Sequence, residues 1–422
     1  MFQPNMIASM TVVVMLSLAS ARADEVGAMK YPIPNLKTST MGRVPNPSEA
    51  DLLRMHQSPY ILHARDGRLK KLHVEKSRLP DDPQHGHQGI LVAMASDGAV
   101  YVRQPSIMSK STDGGRTWTS YPADPQASHG SFEILADGTF IAIAIPGIDG
   151  DPYWKNPAGI WASSDEGANW REITRIARPT EMNGIEYEWW YATYSLHRLP
   201  DNTLLWPVQL RNTVNTRPPY KKVLAMYRSS DGGKSWQGPT SFADWSSEGG
   251  MTRTPSGKLL AAVRYQRHLL PDDPPDLCDG RTWGGCKYYP WLERVPYKHV
   301  FLLESYDEGK TWKNFRQVTT ALGQCFAFPA ALPDGTVVLV HTTAYGPGSR
   351  GSRAMVSRDE GHTWQDEAYY LTFSEESGYN QSVVLADGVI LTVAARNDEE
   401  PLTAIRWRPV ETDSQETDVQ PE

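Results

Sequence analysis

The sequence predicts an all-β chain folded as a six-bladed β-propeller, with four antiparallel strands per blade and a ring closed by an N-terminal strand. Three observations lead there. The pattern Ser-x-Asp-x-Gly-x-x-Trp occurs five times: Ser111 to Trp118, Ser163 to Trp170, Ser229 to Trp236, Ser305 to Trp312 and Ser357 to Trp364. Six tight-turn pairs alternate with these boxes: Asp97-Gly98, Asp137-Gly138, Asp201-Asn202, Ser256-Gly257, Asp334-Gly335 and Asp387-Gly388. Long apolar stretches of helical period are missing, which favours strands.

Each element of the box has a physical task. Ser and Asp oxygens accept backbone N–H bonds inside a turn, Gly takes positive φ, and Trp packs the hairpin. The tight turns lie between apolar or alternating stretches such as Ala331-Leu332 and Val337–Leu339, as hairpin turns do. A unit therefore reads strand A, tight turn, strand B, loop, strand C, box, strand D, which is one blade. After Asn397 the chain has room for one more strand, Leu402 to Val410, so the last blade is incomplete. A closed ring leaves no open edge, and a strand from residues 59–75 is expected to complete it. The predicted organisation is a signal peptide at 1–23, an extension at 24–58, the propeller at 59–410 and a polar tail at 411–422.

The apolar run Met10 to Ala19, followed by Ala21-Arg22-Ala23 before Asp24, reads as a cleaved export signal. The run falls short of the roughly 20 residues a spanning helix needs, so no membrane span is expected after cleavage. A net charge of −7 without a basic cluster argues against nucleic acid or an anionic membrane as partner. Of three cysteines, Cys278 and Cys286 lie in a polar Gly-rich stretch and are expected to pair in an oxidising compartment; Cys325 is left as a small buried hydrophobe. No cofactor and no metal site is expected, since His85, His87 and His129 lack ligand spacing.

Blade order puts tight turns and boxes on one rim and the B–C and D–A connections on the other. The long insertions, residues 146–158, 176–190, 265–297 and 343–351, all fall on the second rim, where a site is expected. Counting eight residues back from each tight turn gives Gly89, His129, Thr193, Glu248, Phe326 and Tyr379, which should share one level at the loop-rich end of strand A. Counting eight forward from the turn after Glu248 reaches Arg264, which hairpin pairing returns beside Glu248.

The boxes, the segment Ser247-Glu248 through Pro255-Ser256-Gly257 to Arg264, and Gly378-Tyr379-Asn380-Gln381-Ser382 through Asp387-Gly388 resemble the sialidase superfamily over roughly residues 87–410. The resemblance implies Tyr379 as nucleophile, Glu248 as its assistant, and Arg264 as part of a clamp on the substrate carboxylate. The family's third Arg precedes a box, where Arg350 or Arg353 stands here. The chemistry is coherent. A phenol of pKa about 10 needs a base to attack at neutral pH, and the planar fork of Arg suits a carboxylate.

Two departures stand out. The family's first Arg lies in an Arg-Ile-Pro segment, but this chain reads His87-Gln88-Gly89-Ile90, leaving Gln88 as the substrate-facing candidate and Arg103 as a substitute from strand B. The family's acid/base Asp lies in a first-blade loop, yet residues 99–110 contain no acid, so Asp149 and Asp151 are substitutes by position. Tyr187, Trp189, Trp190 and Tyr191 are candidates for a sugar platform, with core packing as the competing role.

The expected function is an exported exo-glycosidase acting on glycans with a terminal acidic sugar, with glycan or glycoconjugate as partner. Two alternatives stay open: a non-catalytic glycan- or protein-binding propeller, and a uronate-directed polysaccharide lyase.

Overall fold

The computed structural model describes residues 47–83, 90–123, 130–145, 155–212, 222–267, 297–319, 324–343, 351–373, 379–394 and 402–411. Six antiparallel sheets follow one another along the chain as blades. Strands A to D of blade 1 are Leu91–Met94, Val100–Arg103, Ile107–Ser111 and Thr119–Pro122, and those of blade 2 are Gly130–Ile134, Phe140–Ala144, Ala158–Ser163 and Arg171–Ile176. Blade 3 has Trp189–Ala192, continued by His197–Arg198, as its strand A, with Leu204–Arg211, Lys222–Ser229 and Gln237–Asp244 as B to D. Blade 4 has Ser246–Ser247, continued by Met251–Arg253, then Leu259–Arg267, Tyr297–Ser305 and Lys313–Gln317. Strands A of neighbouring blades pack against one another around the axis.

An N-terminal strand closes the ring as expected, though from residues at the edge of the expected window. Blade 6 comprises Asn380–Val384, Ile390–Ala394 and Thr403–Trp407, and its strand D is Glu75–Arg78, just beyond most of the 59–75 window. Tyr60–Arg65 and Arg68–His73 instead lengthen blade 5 (Gln324–Ala331, Val337–Thr343, Gly351–Ser357, Glu367–Tyr370) from four strands to six. The reason is a buried partner for the new strand: His63 Nε2 lies 3.1 Å from Glu367 Oε2, and the His63 ring stacks on Tyr369. Part of the 24–58 extension is also fastened. A helix, α1 (Glu49–His56), capped by Ser48 with Asp51, buries Leu52 and Met55 in the same core.

The boxes behave as their side chains dictate. In each, the Ser hydroxyl accepts the backbone N–H of the box Gly, as at Ser111 (2.7 Å) and Ser229 (2.9 Å), and meets the Asp carboxylate. The Asp accepts a backbone N–H four residues on. Gly115, at φ +88°, is where no side chain fits, because a Cβ would stand 2.7 Å from Leu391 Cδ1 of the neighbouring blade. Two box glutamates lock their blades to the ones before: Glu166 accepts from Lys110 at 2.7 Å, and Glu360 accepts from Ser256 N at 3.0 Å. Among the described residues no helix is long and apolar enough to cross a membrane.

Candidate active site

On the rim opposite the boxes, the strands nearest the axis are interrupted at one level. Strand A of blade 3 breaks between Ala192 and His197, that of blade 4 between Ser247 and Met251, and that of blade 5 bulges between Cys325 and Phe328. Three large residues there hold positive φ: Tyr194 (61°), Trp245 (54°) and Phe326 (48°). Such left-handed conformations cost about 1–3 kcal/mol each and gather where side chains are re-aimed at a site.

Glu248 lies in the blade 4 interruption, 5% exposed. The hairpin brings Arg264 to it: Ser247 pairs with Arg264, whose backbone N–H donates to the Glu248 carbonyl at 2.9 Å. The guanidinium then holds the carboxylate by one hydrogen bond, Nη2 to Oε1 at 2.8 Å, with Nη1 in ion-pair contact with Oε2 at 2.5 Å, while Nε donates to Ser247 Oγ at 2.8 Å. This is a buried, charge-assisted pair.

Across the axis, the half-buried Tyr379 ring stands edge-on to Phe326, centroids 4.0 Å apart, and 5.9 Å from Tyr194. The hydroxyls of Tyr194 and Tyr191 are hydrogen-bonded. Burial first, then the neighbouring Tyr194 and the charge of Glu248, push the Tyr191 hydroxyl well above its ordinary pKa, and Tyr379 adds to the same effect. Glu248 and Tyr379 thus both bear electrostatically on the Tyr191 hydroxyl. Gln381 ties three blades together beneath, donating to the Tyr194 carbonyl at 2.9 Å and accepting the Val92 N–H at 2.7 Å.

Cations flank the pair. Lys222, the first residue of strand C in blade 3, is fully buried and pairs in register with Arg211, whose guanidinium lies 4.2 Å from the Trp189 ring centre. Lys298, beside Gln266 in blade 4, is also buried. Among the described residues no group of His, Cys, Asp and Glu is arranged to hold a metal ion.

Three sequence-derived candidates require correction. Trp190 is 0% exposed, with its indole N–H on the Asn156 carbonyl at 2.9 Å and its ring edge-on to Trp206, so it is core and offers no face to a sugar. Arg103 is likewise wholly buried, its guanidinium 5.1 Å from the Trp170 ring centre between blades 1 and 2. Arg353 follows Ser352, whose hydroxyl accepts from Asn380 of blade 6 at 3.3 Å. Successive strand residues face opposite ways, so Arg353 turns from blade 6 and lies over Tyr370 at 4.9 Å. Gln88, Asp149, Asp151, Arg350, the cysteines Cys278 and Cys286, His85, His87, His129 and the export signal all lie outside the described residues.

No family profile matches the chain, and no curated protein matches it in sequence. Solved structures do. A protein of unknown function from Dyadobacter fermentans superposes with a TM-score of 0.54 at 18% identity, over 79% of this chain and 97% of that one. The Hadza microbial sialidase Hz136 follows at 0.51 and 14% identity, over 75% of this chain and 65% of its own. The fold is that of a sialidase-like propeller. The α-L-arabinofuranosidase Arb93A of Fusarium graminearum shares it at 0.52 and 15% identity, over 79% and 97%.

Within this sialidase-like propeller, sequence reasoning missed Tyr194, Gln381 and Lys222. The count of eight back from the turn landed on Thr193, and the strand interruption presents its neighbour Tyr194 instead. For Lys222 no signal existed, since Lys221-Lys222 beside Pro-rich residues reads as solvated loop.

Proposed function

We propose that the protein is an exported retaining exo-glycosidase that removes a terminal acidic sugar, a sialic acid or a relative of it, from a glycan. What supports this reading is the buried Glu248–Arg264 pair in the interrupted strand of blade 4, together with the half-buried Tyr379 ring set against Tyr194 and Phe326 from two other blades. The sialidase and arabinofuranosidase neighbours support a glycosidase by fold alone.

In this mechanism Glu248 takes the phenolic proton as Tyr379 Oη attacks the anomeric carbon. The bond from that carbon to the aglycone oxygen breaks, and the oxygen takes a proton from an acid on the same rim, for which Asp149 is the candidate. Water then hydrolyses the glycosyl-tyrosine and the protons return. Arg264, drawn partly from Glu248 to the substrate carboxylate, frees the base as the sugar arrives. Tyr is a known departure among glycosidase nucleophiles.

The test is turnover of aryl glycosides of sialic acids, related nonulosonic acids, uronic acids and arabinofuranose. Glu248→Gln should lower kcat by about 10²- to 10⁴-fold, and Tyr379→Phe by at least as much. Full activity in Tyr379→Phe sinks the mechanism, and turnover of the arabinofuranoside alone sinks the acidic-sugar assignment. Glycan binding without turnover would make the protein a binding propeller, and an unsaturated product absorbing in the near ultraviolet would make it a lyase.

A further inference from the structure

The junction between blades 3 and 4 concentrates charge in an unusual way. The Lys222 carbonyl accepts the Trp245 N–H at 2.8 Å, and the Trp245 carbonyl accepts the Gln266 N–H at 2.8 Å, so strand C of blade 3 is stitched to the start of blade 4. Ser246 and Ser247 follow at once, paired with Tyr265 and Arg264. The backbone of Lys222 is thereby joined to the segment that carries Ser247, Glu248 and, across the hairpin, Arg264. The charged groups that bear on it electrostatically are Arg211 on the adjacent strand B, Arg264 and Glu248 from the inner strands of blade 4, and Lys298 from its third strand; Asp244 pairs with the next residue, Val223. Three cations and one gripped carboxylate bear on a fully buried amine whose Nζ has no hydrogen-bond partner among the described residues.

A buried ammonium without a partner is expensive, and such a group sheds its proton instead. Burial, then Arg211 and Arg264, hold Lys222 well below the ordinary lysine range. A second negative charge at Arg264 reverses the balance, because Coulomb interactions are strong where water is excluded.

We propose that Lys222 is the specificity-determining residue of this site: a latent cation, neutral without substrate and charged when a carboxylate binds at Arg264. The idea rests on the acidic-sugar reading above and adds its consequence. The carboxylate and one proton from solvent enter together, and the complex gains a cation that a neutral sugar does not summon. Lys222 acts through the field at the junction and needs no direct contact with the sugar.

The experiment is calorimetry of the full chain with N-acetylneuraminic acid, glucuronic acid and their methyl esters, in buffers of differing ionisation enthalpy at pH 7, alongside Lys222→Met. The expected result is uptake of close to one proton per bound sugar acid, none with the esters, and a tenfold or greater loss of affinity for the acids in Lys222→Met. The variant should fold, since Met fills the volume without an amine; if it does not, proton uptake by the unaltered protein decides alone. Binding of an acid without proton uptake, unchanged affinity in Lys222→Met, or no binding of either acid overturns the proposal. Proton-coupled binding with no turnover of any glycoside would leave it standing and refute the hydrolase reading. Turnover of acidic glycosides with a KM untouched by Lys222→Met would do the reverse.

Discussion

Replacing Arg264 by Met leaves the Glu248 carboxylate in place and removes the guanidinium that holds it. The side chains are 12% and 6% exposed, so water reaches the stranded carboxylate poorly. Removing one partner of a buried ion pair costs about 3–5 kcal/mol, most of it the desolvation of the charge left behind. With an unfolding entropy near 2.1 cal/mol/K per residue, a propeller of roughly 350 residues shifts by about 1.4 °C per kcal/mol, so Tm should fall by about 4–7 °C. Glu248→Gln leaves the more exposed guanidinium with a neutral acceptor and should cost about 1–2 kcal/mol. The double variant should cost less than the sum of the two by up to about 3 kcal/mol, because the stranded charge is gone. Differential scanning calorimetry at neutral pH reads all three. A shift below about 2 °C for Arg264→Met, or strict additivity, would mean that the pair does not form the buried frame on which the site is built.

Trp190→Phe should lower stability by about 1–3 kcal/mol through the lost Asn156 bond and the space left beside Trp206, with KM for the best aryl glycoside unchanged. Gly115→Ala and Gly98→Ala each place a Cβ at positive φ, costing about 1–2 kcal/mol, but only the first also collides with a neighbouring blade. Urea unfolding should therefore rank Gly115→Ala as clearly the worse; equal costs would contradict the tight contact at Leu391. Hydrogen bonds from Asn169 and Thr311 hold the box carboxylates of Asp165 and Asp307 down to about 2, from an ordinary 3.8. A depressed carboxylate adds stability above its unfolded pKa and loses it as pH falls through the folded one. Burial holds the neutral imidazoles of His197 and His341 down to about 4, from an ordinary 6.5, so Tm should begin to fall as pH drops below 6.5; the box carboxylates add a further drop between pH 4 and 2, and Asp307→Asn should soften that lower part alone.

The six blades were legible because both repeated turns are local. A tight turn needs only a few consecutive residues, and a box bonds its own backbone within four, so their chemistry is written where the chain bends. The same ruler placed Glu248 beside Arg264, since register follows from turn length, and put Phe326 and Tyr379 at one level, where their rings meet. It failed wherever a side chain's direction depends on another blade. Trp190 and Arg103 have the composition of ligand contacts, but neighbouring blades bury them. Arg353 stands one residue from the position that faces blade 6, and that single step reverses its direction.

By itself, then, the sequence determined the ring, the blade order, the two rims and the pairing of Glu248 with Arg264, because each follows from contacts between residues near in the chain or set by one turn. Only the tertiary structure decided that the closing strand is Glu75–Arg78 while the residues before it lengthen blade 5. It also decided that Tyr194 takes a left-handed backbone and that Lys222 is wholly buried where blade 3 meets blade 4. Those outcomes depend on which blades become neighbours on closure, and closure joins residues some three hundred positions apart, such as Arg78 and Thr403.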